Sequence, residues 1–473
     1  MTTWPGPIRE AFARGTLVAW FLVTRMQQFL ASKPMSFSDS ASYFAKAGER
    51  VLSVDFFFGE GRLPTIPLFW APWVRWYGED GAILSCLQFG LSCSSWLLLA
   101  TAVCRHLQTS LGRIAGRGLV LILASSSAVT QWDRALLSES LSTSLFVALM
   151  AAWLGWGNQW IAQARSTRAT VGTIIALGTL WGFARESNGI FLLMLGAIAL
   201  LLVITWAPSN ATATKRLRIQ GIVIAMAFAA VFALAQLTAE RGERWLFPLL
   251  NVIGRRVLPS QERTAFYAAA GMPLSPALMA MSGEFGSGRD WSFYHAAELA
   301  DFRVWVRSHG RHTYARDLVL HPERTLSEPL VHAREFLCPD LTIYRPPGFS
   351  PAPLEIEASR FCSDGTATRM LAVALLGGIL GSVGGLIFRR RISFATFFLG
   401  QTIALLMVAW PILTWLTWHA IGEMEVDRHV LWATLFFRLG CVLAAAWLVD
   451  LIVRFLADVR TRTGSVGVRS DPT

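Results

Sequence analysis

Apolar runs of about 17–25 residues recur along this chain, each long enough to cross roughly 30 Å of hydrocarbon. They fall near 15–32, 81–104, 116–131, 138–157, 168–185, 189–207, 217–238, 370–388, 392–418 and 430–455. A backbone inside hydrocarbon must satisfy its own hydrogen bonds, so runs of this kind fold as helices. Charged residues make up only 15% of the 473 positions, where soluble proteins carry nearer a quarter. The expected fold class is an all-α polytopic membrane protein with about ten transmembrane helices. The first run is long and has no clear small-x-small cleavage site, so it reads as a retained anchor and not as a signal peptide.

The net charge of +11 would suit a nucleic-acid binder, but the basic residues do not line one soluble face. They sit in short clusters between apolar runs, which argues against nucleic acid as a partner. Arg105, Arg113 and Arg117 follow the second run, and Lys215, Arg216 and Arg218 precede the seventh. Arg389–Arg391 separate the eighth from the ninth, and Arg454, Arg460 and Arg462 follow the last. With ten spans all of them share one side, which the positive-inside rule makes the cytoplasm. The expected location is the plasma (cell inner) membrane, multi-pass, with both termini cytoplasmic. The extracytoplasmic side then receives the loop 33–80, the turn Trp132–Ser138, the link Arg185–Asn188, the region 239–368 and the link His419–His429.

This divides the chain into an N-terminal transmembrane module (1–238) carrying the external loop 33–80, and a loop-rich helical region (239–368). The C-terminal transmembrane helices (369–458) and a polar, disordered cytoplasmic tail (459–473) complete it. The region 239–368 is too long for a simple connection and reads as a small helical cap, with amphipathic helices at Glu298–Val306 and Pro329–Phe336. Twenty Trp residues suit membrane interfaces, with some available to a sugar site. Gly377, Gly381 and Gly385 present a small-residue face for close helix packing. Cys338 and Cys362 are the two cysteines of the long polar stretch. If it is extracytoplasmic, a disulfide and two unpaired thiols are equal readings.

The residues able to carry chemistry gather in the external segments. Asp39, in Ser36-Phe37-Ser38-Asp39-Ser40-Ala41-Ser42-Tyr43, can accept a proton from a hydroxyl if partly desolvated. Ser38 or Asp39 serves equally well as the N-cap of a helix over Ser40–Val51. Glu139 opens the fourth run, where a carboxylate also complements the helix dipole. With Asp133 and Arg134 it forms a charged collar suited to orienting an acceptor or holding a cation. Arg185, in Arg185-Glu186-Ser187-Asn188, has the planar fork that suits a phosphate, although an ion pair with Glu186 is the simpler account. Glu423, Glu425, Asp427, Arg428 and His429 crowd the last external link. Solvation explains them by default, yet Arg428 and His429 at the mouth of the final run are placed to grip an anionic headgroup. Arg62 precedes two prolines leading into the second run.

Asp39 with Tyr43 after the first run and Arg62-Leu63-Pro64-Thr65-Ile66-Pro67-Leu68-Phe69 before the second make a recognisable pattern. Ser138-Glu139-Ser140-Leu141 opening the fourth and Gly182-Phe183-Ala184-Arg185-Glu186 closing the fifth extend it. Together they resemble the GT-C class of integral-membrane glycosyltransferases, at motif level over about 15–240 and in architecture beyond. The chain departs from the better-known branches in its modest external region and lack of a large C-terminal carbohydrate-binding domain. The resemblance implies an inverting transfer of sugar from a polyprenyl-phosphate donor to an extracytoplasmic hydroxyl of a glycan, lipid or protein, in contact with membrane lipids. It implies Asp39 as general base with Glu139 as a second catalytic carboxylate. Arg62, Arg185, Arg428 and His429 would then hold the donor phosphate, and Tyr43, Asp133, Arg134 and Glu186 the substrate. A divalent cation, Mg or Mn, stays open as a cofactor. The alternatives are a polymerase or ligase of lipid-linked glycans, and a transporter or flippase of lipid-linked sugars. Carriers usually show internal symmetry and broken helices, neither of which is visible.

Overall fold

A computed structural model of the chain describes residues 6–51, 53–59, 61–161, 168–205, 211–351, 364–389, 392–421 and 426–465. Arg390, Arg391, Cys362, Glu423, Glu425 and the tail beyond 465 lie outside the described residues. Cys338 is disulfide-bonded, and its expected partner Cys362 falls in that undescribed set.

Helices occupy all ten apolar segments. They are α1 (Gly6–Ala31), followed by the shorter α2 (Ser38–Gly48) and α3 (Thr65–Tyr77), then α4 (Gly81–Cys104) and α5 (Ser110–Ala124). Next come α6 (Ser138–Ile161), α7 (Arg168–Gly182), α8 (Asn188–Thr205) and α9 (Ala211–Arg241). A run of short helices follows, including α10 (Leu246–Val252), α11 (Gln261–Ala269), α12 (Arg311–Leu320) and α13 (Pro322–Val331). The chain closes with α14 (Asp364–Phe388), α15 (Phe394–Ile421), the single turn α16 (Val426–His429) and α17 (Leu431–Ser465). Helix therefore continues to Ser465, past the point where a disordered tail was expected.

Seven of these helices are long and apolar enough to cross a membrane, or eight if a bent pair counts as one span. That makes the chain a multi-pass membrane protein, with seven or eight such helices among the described residues where ten were expected. The shortfall has local causes. Arg25, Gln27 and Gln28 interrupt the apolar run of α1, and α7 has 15 residues, too few for a full crossing. After α5 the chain bends by 57° into Ser127–Asp133. There Ser125 Oγ donates to the Leu121 carbonyl at 2.9 Å and Ser126 Oγ to the Leu123 carbonyl at 2.7 Å, hydroxyl bonds that compete with the helix ladder.

The bundle is organised around α6. Its apolar stretch is 83% buried, against 17% for α14 at the rim. Phe146 on α6 meets Trp181 on α7, Phe191 on α8 and Phe436 on α17 with ring centroids 4.6–5.6 Å apart. Trp153 Nε1 donates to Thr402 Oγ1 on α15 at 3.1 Å. The tryptophans are core residues more than interface markers: Trp70, Trp96, Trp132, Trp153, Trp156, Trp181 and Trp410 are all essentially inaccessible. The glycine face on α14 also differs from the expected one. A side-chain carbon added at Gly377 or Gly381 would meet nothing within 4 Å, whereas one at Gly378 would lie 3.0 Å from the Ala404 carbonyl. Gly378 and Gly385, two helical turns apart, are the positions that approach α15 closely.

Between α9 and α14 the chain folds around its own apolar cluster, which includes Leu250, Ile253, Tyr267, Phe293, Phe302 and Trp305. Helical structure at Ala300–Trp305 matches the expected segment. The other expected helix is broken: Pro329 falls inside α13, and a second short helix, Ala333–Leu337, begins after His332. Trp415 Nε1 and His419 Nε2 on α15 both bond the Thr325 carbonyl, at 3.0 and 2.8 Å, fixing α13 on the end of a spanning helix.

Candidate functional site

The site begins with a short backbone contact. The Met35 amide donates to the Arg134 carbonyl at 2.8 Å and the Leu136 amide to the Met35 carbonyl at 2.9 Å, an isolated parallel bridge between Met35 and Ala135. Beyond this bridge, Ser38 opens α2 and Ser138 opens α6. The equal offsets put Asp39 and Glu139 at matching positions in two neighbouring first turns. Ser40 Oγ reinforces the pairing, accepting from the Phe37 amide at 2.9 Å and donating to the Leu136 carbonyl at 2.6 Å. Ser40, not Asp39, thus satisfies the start of α2, and the carboxylate is released for other work.

Both Asp39 oxygens face guanidinium groups. Arg428 Nη1 donates to Oδ2 at 2.9 Å, and Arg62 Nη2 pairs with Oδ1. Arg428 also reaches the second carboxylate, its Nε donating to Glu139 Oε1 at 2.6 Å. Arg185 Nη2 donates to the same oxygen at 2.9 Å. The five side chains form one alternating series, Arg62, Asp39, Arg428, Glu139 and Arg185, with three positive charges against two negative. It runs from an accessible mouth to a dry interior: the Arg62 and Asp39 side chains are 31% and 33% exposed, those of Arg428 and Glu139 3% and 0%. Tyr43 closes one side, its ring centroid 4.6 Å from the Arg62 guanidinium. Arg62 Nε is held by Ser42 Oγ at 2.7 Å.

Burial pushes the Asp39 pKa up, but Arg62 and Arg428 outweigh it and hold the carboxyl below its ordinary value of 3.8. Asp39 is therefore an anion at neutral pH. His429 sits beside Arg428, where burial and the charges of Arg185 and Arg428 drive its pKa well below 6.5. It is neutral, and it borders a shallow cleft, about 270 Å³ of empty space including its open mouth, together with Trp181, Asn188, Phe191, Trp432 and Phe436.

Other expected site residues are placed elsewhere. Asp133 is buried and pairs with Arg25 Nη2 at 2.5 Å, and Arg25 also donates to Ser92 Oγ at 2.8 Å and to the Ala124 carbonyl. Arg134 donates to the Phe29 carbonyl at 2.9 and 3.0 Å, with its guanidinium 3.5 Å from the Phe29 ring centroid. These contacts fasten α1 to α4, α5 and the turn before α6 and do not reach the five-residue series. Glu186 pairs with Arg244 at 3.2 Å on a partly exposed surface, so the local Arg185–Glu186 pair does not form. Tyr344 was missed by sequence reasoning, and its ring lies 5.7 Å from the Arg428 guanidinium. Its only signal is an aromatic residue just before Pro346 and Pro347. Among the described residues no group of three or more His, Cys, Asp or Glu side chains is placed to hold a metal ion. Two carboxylates already committed to three guanidinium groups are a poor donor set for Mg or Mn.

No family model and no curated protein matches the chain. Among solved structures it is similar to the archaeal oligosaccharyltransferase AglB from Archaeoglobus fulgidus in complex with an inhibitory peptide and a dolichol-phosphate. The TM-score is 0.43 at 11% identity, over 98% of this chain and 53% of that one, so the chain spans about half the length of that protein. At this distance the likeness assigns neither a family nor a site.

Proposed function

We propose that the chain is a GT-C-type glycosyltransferase that moves a sugar from a polyprenyl-phosphate donor to an acceptor hydroxyl. The observation that carries this reading is the alternating series from Arg62 to Arg185, three guanidinium groups and two carboxylates with Asp39 at the open end. Three guanidinium groups suit a phosphate, each offering a planar fork of charged donors.

In the reaction, Asp39 takes the acceptor's hydroxyl proton while that oxygen bonds the anomeric carbon, and the bond from this carbon to the phosphate oxygen breaks. The electron pair leaves with the lipid phosphate, whose charge Arg428 and Arg185 stabilise. Displacement from the opposite face inverts the anomeric centre. A carboxylate held below its ordinary pKa is a weak base, and the shared arginine supplies a remedy. When the donor phosphate takes up Arg428, Asp39 loses part of the charge that depresses it, and its basicity rises as substrate binds. Glu139 keeps both phosphate-facing arginines in place and is a positioning residue.

The test is transfer from a panel of polyprenyl-phosphate sugars by purified protein in lipid. Asp39→Asn should lower transfer by about 10²–10⁴-fold while leaving the thermal unfolding midpoint nearly unchanged. Undiminished turnover by that variant would sink the assignment.

A further inference from the structure

The elements that carry the charged series are bridged by a stretch of chain outside it, residues 336–348 of the loop-rich region. At one end this stretch clasps α16, a single turn too short to fix its own side chains. Phe336 is buried with Val426 and Val430, and its carbonyl accepts from Thr434 Oγ1 on α17 at 2.7 Å. The Asp340 amide donates to Asp427 Oδ1 at 2.8 Å, beside Arg428. Cys338, between these two contacts, is disulfide-bonded. At the other end the Pro347 carbonyl accepts from the Lys33 amide at 3.0 Å. Gly348 has a φ of +82° there, and a side-chain carbon added to it would collide with the Ala31 carbonyl.

Tyr344 lies in the middle of this stretch. Its ring centroid is 5.6 Å from that of Phe37, just before α2, and 5.5 Å from that of Trp132, in the turn before α6. The Arg428 guanidinium lies 5.7 Å from the same ring. One side chain therefore packs among the segments that bring Asp39, Glu139 and Arg428 together. It is buried in an apolar cluster with Leu137, Leu341 and Leu431, so several elements at once fix its place. A cation is attracted to the face of an aromatic ring, the more so where water is excluded. Arg428 is shared by two carboxylates and, once a donor binds, by a phosphate as well. A ring fixed from several sides limits how far the guanidinium follows any one of them.

We propose that residues 336–348 form a strap that holds Arg428 between Asp39 and Glu139, with Tyr344 as its positioning residue. The bearing of this strap on sugar transfer rests on the glycosyltransferase function proposed for Asp39 and its partners. Full-length protein in phosphatidylcholine nanodiscs is treated with phenylglyoxal, which labels accessible guanidinium groups, and labelling is read residue by residue by mass spectrometry. Tyr344→Leu should raise Arg428 labelling about fivefold or more, and Tyr344→Phe, which keeps the ring, should not. Arg25, buried in its pair with Asp133, reports any general loosening of the fold and should stay protected in both. Asp427→Ala cuts the strap from α16 at a partly exposed contact without emptying the core. It should raise Arg428 labelling about twofold to tenfold, and it decides the matter if Tyr344→Leu also exposes Arg25. In transfer assays Tyr344→Leu should lower kcat/KM about 5–30-fold, with Tyr344→Phe near wild type. Adding Tyr344→Leu to Arg428→Gln should bring no further loss, because the ring acts through that guanidinium. The proposal is overturned if Arg428 labelling rises in neither Tyr344→Leu nor Asp427→Ala, if Tyr344→Phe behaves as Tyr344→Leu does, or if the two losses of transfer multiply in the double variant. A wild type inert toward every donor would instead refute the glycosyltransferase function, and the labelling would still decide whether the strap holds Arg428.

Discussion

Asp133 and Glu139 flank the turn into α6, and each is a buried carboxylate paired with arginine from a distant element. Their surroundings separate them. Asp133 and its partner Arg25 are 3% and 1% exposed and bond only to groups that tie helices together. Glu139 is equally buried, but Arg428 links it to Asp39, which reaches the mouth of the site. A closed ion pair fixes packing, whereas a chain of shared charges with one open end can exchange partners with an incoming anion. Buried charge alone therefore does not mark a functional site, and connection to an accessible group does.

That contrast can be broken most directly at Asp39. Asp39→Asn should lower transfer by about 10²–10⁴-fold, the range of general-base catalysis, with little change in unfolding midpoint. Arg25→Met should show the opposite pattern, costing about 3–5 kcal/mol in stability because it strands a buried carboxylate. The double variant Arg25→Met with Asp133→Leu should recover most of that loss in denaturation experiments. If Arg25→Met instead left stability intact and removed activity, the closed pair would belong to the site. Arg428→Gln tests the shared link: removing a charged donor to the leaving phosphate should cost about 10²–10³-fold in kcat, with a smaller loss of donor affinity.

The smallest expected effect is a shift in pH dependence. The folded-state pKa of Asp39 is depressed below 3.8 by Arg62 and Arg428 against the pull of burial. Its ionised form is therefore complete above the ordinary carboxylate range and is lost only as pH falls through the lower folded value. Arg62→Gln removes one of the two depressing charges, so the acid limb of the kcat/KM profile should move to higher pH. A profile unchanged by this variant would show that Asp39 ionisation does not govern turnover.

Much of the candidate site is legible in the sequence. Asp39, Glu139, Arg62, Arg185 and Arg428 stand out because charge beside an apolar run is costly without a task, and each falls on a segment assigned to the same side. Their partners were not legible. Arg185 sits next to Glu186 in the chain but pairs with Glu139, because α7 ends at Gly182 and the following turn aims its guanidinium at α6. Asp133 and Arg134 read as members of the same collar as Glu139, and only the position of α1 shows that they secure a helix. The tryptophans and the α14 glycines were misplaced for a related reason. Composition and spacing describe one helix, whereas burial depends on which neighbour covers which face.

The sequence by itself determined that the chain is a helical membrane protein and where its helices lie, since hydrocarbon leaves the backbone no other economical state. It also determined which few charges needed explaining. The tertiary structure decided how those charges are shared. The Met35–Ala135 bridge sets two helix starts in register, and α16 carries Arg428 back across a long stretch of chain to stand between them. Ion pairing falls off within a few ångströms, so it follows from the packing of distant segments and cannot be read from neighbours along the chain.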